Sequence, residues 1–107
     1  MQRKLYWAYV GFTDIPGGKK RPVLYIRQDE NYYHVFRLTS KYDNKSKAIK
    51  NKYVEIIDWQ QAGLPKRSWV DTVQTYSLPI KTTELSYIGQ LTKNDVERLI
   101  NILENQQ

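Results

Sequence analysis

The chain has 107 residues, 17 of them Lys or Arg against 11 Asp or Glu, for a formal charge of +6. A composition of 40% hydrophobic and 26% charged residues is globular, with room for one domain over residues 1–107. With no cysteine and a single histidine, His34, the chain excludes disulfide frameworks, zinc ribbons, thiol nucleophiles, histidine-rich metal sites and a two-histidine acid–base pair. No apolar run approaches the roughly 20 residues of a membrane span. Residues 1–20 lack the apolar centre of a secretory signal, being interrupted by Arg3, Lys4, Asp14 and Gly17. A cytoplasmic protein without metal or other cofactor and without a membrane partner is expected.

In chain order, Leu5 to Phe12 is aromatic-rich and predicts a first strand. Thr13 to Lys20 is dense in turn formers and predicts a flexible loop. Pro22 to Arg27 predicts a second strand, with Pro22 at its start, where a missing N–H costs least. A turn at Asp29-Glu30-Asn31 then leads into a third, Tyr32 to Leu38, to make a hairpin. In that strand His34 alternates with Phe36 and Leu38 and reads as filler within the sheet rather than as a catalytic group. Ser40 to Asn51 is polar and lysine-rich and predicts a long mobile loop. Lys52 to Asp58 alternates like a half-buried strand, Gly63 and Pro65 punctuate the connection, and Ser68 to Tyr76 predicts another strand. Tyr87 to Leu91 predicts a last short one. A C-terminal helix follows: Thr92 is the N-cap, Asp95 supplies a variant capping box, Leu91 and Val96 form a staple, and Val96, Leu99, Ile100 and Leu103 make one apolar stripe. Five or six short strands with one terminal helix imply a mostly β protein, a small antiparallel barrel.

Charge is concentrated in the middle of this plan. Lys19 to Arg67 holds 12 basic residues and five acidic ones, a net +7, while the rest of the chain carries −1. Such a field attracts polyanions, RNA or DNA first among them, although a solubilising surface has the same composition.

The run Gly17-Gly18-Lys19-Lys20-Arg21-Pro22-Val23-Leu24-Tyr25-Ile26 is a glycine loop, a Lys-Arg-Pro step and an apolar strand. Followed in order by Phe36-Arg37-Leu38-Thr39-Ser40, Ser68-Trp69-Val70-Asp71-Thr72 and Ile88-Gly89-Gln90-Leu91-Thr92, it resembles the MazF/PemK family of bacterial toxin endoribonucleases. The likeness runs from about Tyr6 to Leu103. Two departures stand out. Arg3-Lys4-Leu5 replaces the family's opening Gly-Asp, and Arg37 stands where Pro is usual before the Thr segment, which leaves the RNA sequence preference open. The resemblance implies an SH3-like barrel of the MazF/PemK/CcdB type with a C-terminal α-helix. It also implies a homodimer, metal-free cleavage of single-stranded RNA, and growth arrest through messenger RNA. The cognate antitoxin would be a small acidic protein whose tail occupies the RNA site. By motif position the catalytic pair is Arg21 and Thr39.

The chemistry of those residue types fits such a reaction. When a ribose 2′-OH attacks the adjacent phosphate, the products are a 2′,3′-cyclic phosphate and a 5′-OH, and the transition state is more negative than the substrate. A guanidinium grips two phosphate oxygens at once, and a threonine hydroxyl adds a hydrogen bond. Arginine is a poor base near neutral pH, so Arg21 is assigned to charge stabilisation and proton donation, and the group that deprotonates the 2′-OH is left open. Lys19, Lys20 and Ser40 flank the pair as candidate substrate contacts. Lys41, Lys45, Lys47 and Lys50 make a candidate backbone clamp, and Tyr42 and Trp69 are candidate stacking platforms for bases. Taken alone, Arg21 is also an ordinary surface charge, Thr39 a strand residue and the lysines a solvated loop. Two rival functions follow: a non-catalytic basic nucleic-acid-binding module, and a gyrase-targeting toxin of the same fold. The Arg-Pro and Thr-Ser segments disfavour the second.

Overall fold

A computed structural model describes residues 3–10 and 20–106. The loop expected over Thr13 to Lys20 therefore lies, apart from Lys20, outside the described residues. Six strands form one antiparallel sheet: β1 (Lys4–Val10), β2 (Arg21–Gln28), β3 (Tyr32–Thr39), β4 (Tyr53–Ile56), β5 (Ser68–Pro79) and β6 (Thr83–Gln90). Their spatial order is β4-β5-β3-β2-β1-β6. Helix α1 (Lys47–Lys50) precedes β4, and α2 (Lys93–Asn105) ends the chain.

Alternation in the strands sorts side chains onto two faces. Leu5, Leu24, Phe36, Leu38, Val54, Ile56 and Val70 face inward and pack with Val96 and Leu99 of α2 into the main core. Val96 and Leu99 are buried, and Ile100 and Leu103 pack partly buried on the same cluster, so the helical stripe does the job its spacing predicts. Thr92 is the N-cap, accepting from the Asp95 N–H at 3.4 Å. On the opposite face a smaller cluster of Ala8, Val23 and Val35 is covered by Tyr6, Tyr33, Tyr76, Leu78 and Leu85.

The strand pairing is not closed into a ring: β4 and β6 are its two edges. The segment between β4 and β5 fills the gap instead. Its Ala62 is fully buried and Leu64 nearly so, both in the main core. Gly63, at φ +91°, lies so close to β6 that a Cβ would sit 2.7 Å from the Ile88 carbonyl oxygen, and a Cβ on Gly89 would run into the Ala62 carbonyl. The segment is tied down by α2. Asp95, 2% exposed, accepts from the N–H of Ile57 at 3.1 Å and of Asp58 at 2.9 Å. Thr92 donates its hydroxyl to Asp58 at 2.7 Å.

Several local expectations change for physical reasons. The Asp95 carboxylate does not close a capping box on Thr92; the two loop amides occupy it, and because they turn toward it β4 ends at Ile56 instead of Asp58. The lysine-rich stretch after Ser40 is not all loop. Ser46 accepts from the Ile49 N–H at 3.3 Å and caps the short helix α1. Strand β5 runs on to Pro79 through an irregularity in which Phe36 on β3 stands against Thr72 to Thr75, and β6 starts at Thr83. His34 stays within the sheet, its side chain 15% exposed and its backbone position between β2 and β5, but its ring is held by polar partners. It sits at the hairpin end with Nε2 2.8 Å from Asp29 Oδ2 and Nδ1 3.1 Å from the Ser77 hydroxyl.

Candidate functional site

Register brings the two motif residues together. On β2 and β3, Val23 faces Arg37; continuing that ladder to the strand ends sets Arg21 opposite Thr39. Directly opposed side chains in an antiparallel pair share a face and stand about 4.5–5.5 Å apart at Cβ. On the far side of β3, Thr39 faces Trp69 and Arg37 faces Asp71.

Where β2 begins and β3 ends, an open cleft of about 690 Å3 is bounded by the residues after β3 and by Leu64, Pro65 and Lys66 of the gap-filling segment. Six cations line it: Lys20, Arg21, Arg37, Lys41, Lys45 and Lys66. No carboxylate or histidine lines it among the described residues. Six cations around one concavity, of which Arg37 is paired with Asp71, raise a positive potential that favours an anion.

Thr39 is oriented within this cleft. Its Oγ1 accepts from the Lys41 N–H at 3.1 Å, a turn that leaves the hydroxyl proton free to be donated. Arg37 is fixed more firmly. Its Nη2 donates to Asp71 Oδ2 at 3.0 Å, and its Cζ stands 5.7 Å from the centre of the Tyr76 ring. Burial works against the guanidinium's charge, but the Asp71 hydrogen bond and the field of Tyr76 outweigh it and raise the Arg37 pKa above its ordinary value. Asp71 also accepts from the Val73 N–H at 2.9 Å. Burial and the Asp71 charge push the neighbouring Tyr53 hydroxyl up as well.

The structure thus gathers Lys20, Arg21, Thr39, Ser40, Lys41 and Lys45 around one cleft. Lys19 lies outside the described residues. Lys47 is in α1 and, like Lys50 and Tyr42, is not part of the lining. Trp69 must be corrected. It is only 7% exposed, stacked at 4.8 Å and 4° on Tyr42 and covered by Arg67 at 5.0 Å, so its ring has no free face for a base. Tyr42 in turn carries Lys50 Nζ 4.9 Å from its ring centre. Sequence reasoning missed Trp7, Lys66 and Ser68 as lining residues and treated Arg37 as a mere departure from a motif. Strand register for Trp7, Arg37 and Ser68, and the packing of the segment between β4 and β5 for Lys66, identify them, and one sequence prints neither.

His34 is remote from this place. It lies five positions back along β3 from Thr39, roughly 17 Å at the strand rise, and is not in the lining. Among the described residues no group of three or more His, Asp or Glu side chains is placed to hold a metal ion. No helix among them is long and apolar enough to cross a membrane.

The sequence matches no family model and no curated protein. Among solved structures, the chain is similar to the Mycobacterium tuberculosis toxin MazF-mt6, with a TM-score of 0.64 and 19% identity over 92% of this chain and 93% of that one. A likeness of that extent at so low an identity speaks to architecture: six antiparallel strands and a terminal helix in the fold of a MazF toxin.

Proposed function

We propose that this chain is the toxin of a toxin–antitoxin pair, a metal-independent endoribonuclease that cuts single-stranded RNA by attack of the substrate's own 2′-OH. The observation that carries this reading is a cleft lined by six cations, with no acid among its described residues, in whose lining both Arg21 and Thr39 stand. Arg21 would hold two oxygens of the scissile phosphate and offset the charge that grows on it. Thr39, with its lone pair engaged by Lys41, would donate its proton to the same phosphate. Lys20, Lys41, Lys45 and Lys66 would follow the flanking backbone, and Trp7 is the aromatic ring within reach of an unstacked base. The similarity of the fold to a MazF toxin supports the assignment independently of the cleft.

The partners follow from the same chemistry. A cleft built for phosphates also accepts carboxylates, so a small acidic antitoxin is the fitting inhibitor. The homodimer and the cytoplasmic setting belong to this proposal through the family resemblance.

Arg21→Lys tests the role of the planar fork, since it retains the charge and loses the bidentate grip. A fall of about 10²-fold or more in cleavage rate is expected, the scale of losing one preorganised donor at a developing anion. A rate close to that of the unaltered protein would contradict a bidentate phosphate contact. A basic module that binds RNA without cutting it is favoured by one observation: no carboxylate or imidazole among the described lining residues is placed to take the 2′-OH proton. That module would bind with a steep salt dependence and leave RNA intact at any protein concentration.

A further inference from the structure

We propose that Arg37 is a second phosphate contact of the cleft, held by Asp71 and serving the backbone phosphate next to the one gripped by Arg21 and Thr39. The inference rests on the cleft being a nucleic-acid site and adds a residue that the family resemblance does not supply, since Pro is usual at this position.

The register fixes the placement. Arg37 is two residues before Thr39 on β3 and directly opposite Val23, which is two residues after Arg21 on β2. Arg21 and Arg37 are therefore diagonal neighbours, roughly 7–8 Å apart. That spacing is between backbone positions, and the Arg37 guanidinium is drawn further from β2 by Asp71 and Tyr76 on β5, so the two cations stand at separate places in the cleft and address two phosphates rather than one.

The support beneath Arg37 is built from buried parts. Asp71 is 4% exposed, pairs with Nη2 at 3.0 Å, and spends its other oxygen on the Val73 N–H. Tyr76 flanks the guanidinium at 5.7 Å. One N–H edge is thus anchored, while 41% of the side chain remains exposed in the cleft. Neutralising Asp71 does not account for the arrangement. A pair formed for stability alone would not leave its guanidinium among five other cations, where their repulsion weakens the folded state. An anion in the cleft reverses that sign. Arg37 is a binding residue, then, and Asp71 the residue that positions it.

The test separates binding from cleavage. A fluorescent single-stranded RNA of mixed sequence, methylated at every 2′-OH so that it resists cleavage, is titrated with the full chain over a range of salt concentrations. Arg37→Gln should raise Kd about tenfold, as expected for losing a hydrogen bond to a charged group. It should also lower the slope of log Kd against log salt by roughly 0.7, one single-strand phosphate contact. Because Arg37→Gln leaves a buried carboxylate unpaired, the double variant Arg37→Gln/Asp71→Asn is measured beside it. Its neutral amide pair restores the hydrogen bond, and it should show the same two changes while remaining folded. Asp71→Asn alone keeps the charge of Arg37 and should weaken binding with little change in slope. A double variant that binds with the slope and Kd of the unaltered protein overturns the proposal, as does an unaltered protein that binds no RNA. If the unaltered protein binds yet leaves unmethylated RNA intact, the ribonuclease proposal fails while the slopes still decide the role of Arg37.

Discussion

Asp95 is the residue on which two distant parts of the chain depend, and Asp95→Ala is the perturbation that exposes it. The carboxylate is 2% exposed and accepts from the backbone N–H groups of Ile57 and Asp58, at 3.1 and 2.9 Å. Each is a hydrogen bond to a charged acceptor, about 1.5–3 kcal/mol, and losing both leaves two partly buried donors unmatched, for about 3–6 kcal/mol in all. Set against a total stability of about 5–15 kcal/mol, that is a large share. For a chain of this size it corresponds to a fall in Tm of more than about 12 °C. Asp95→Asn keeps one acceptor oxygen and should lose about half as much. Urea unfolding monitored by tryptophan fluorescence measures the loss, and hydrogen exchange at the Ile57 and Asp58 amides locates it. A midpoint change equivalent to less than about 1 kcal/mol for Asp95→Ala, with the slope unchanged, would refute the idea that this carboxylate pins the segment.

Three further outcomes are expected. Gly89→Ala should destabilise by about 1–3 kcal/mol or more, because its new methyl meets the Ala62 carbonyl and neither backbone has room to yield; thermal unfolding checks it. Hydrogen bonds from the His34 ring and from the Asn31 and Tyr32 amides lower the Asp29 pKa to about 2. A carboxylate with a depressed folded-state pKa stabilises the protein above its unfolded value near 4 and loses that contribution as pH falls toward 2. Asp29→Asn should therefore flatten the acid limb of stability between about pH 4 and 2, and an unchanged limb would contradict the hairpin cap. Lys66→Ala should weaken RNA binding at low salt without altering Tm by more than a few degrees, because Lys66 lines the cleft and is exposed; a salt titration of binding reads it.

What the sequence disclosed was whatever is local. The Thr92 cap, the staple and the stripe of α2 all lie within a dozen residues, and the β2–β3 hairpin shows itself by alternation around Asp29-Glu30-Asn31. That Arg21 and Thr39 line one cleft was foreshadowed only by family resemblance, because spacing within one strand says nothing about what stands beside it in space. Long-range pairings were hidden altogether. Asp71 holds Arg37 from 34 positions away, and Asp95 reaches Ile57 across 38, so neither the anchored arginine nor the plug between β4 and β6 has a local signature. Trp69 misled for the same reason. An aromatic near a basic loop looks like a stacking platform until Tyr42 and Arg67 are found covering it.

The most direct test of the proposed reaction is the chemistry of the RNA ends. Purified protein is incubated with single-stranded RNA in excess EDTA, and the product termini are identified by mass spectrometry and by their reactivity toward polynucleotide kinase. The account predicts cleavage undiminished by EDTA, with a 2′,3′-cyclic phosphate on one fragment and a 5′-OH on the other, both lost in Arg21→Ala. Intact RNA, or cleavage that EDTA abolishes or that leaves 5′-phosphate ends, would contradict it.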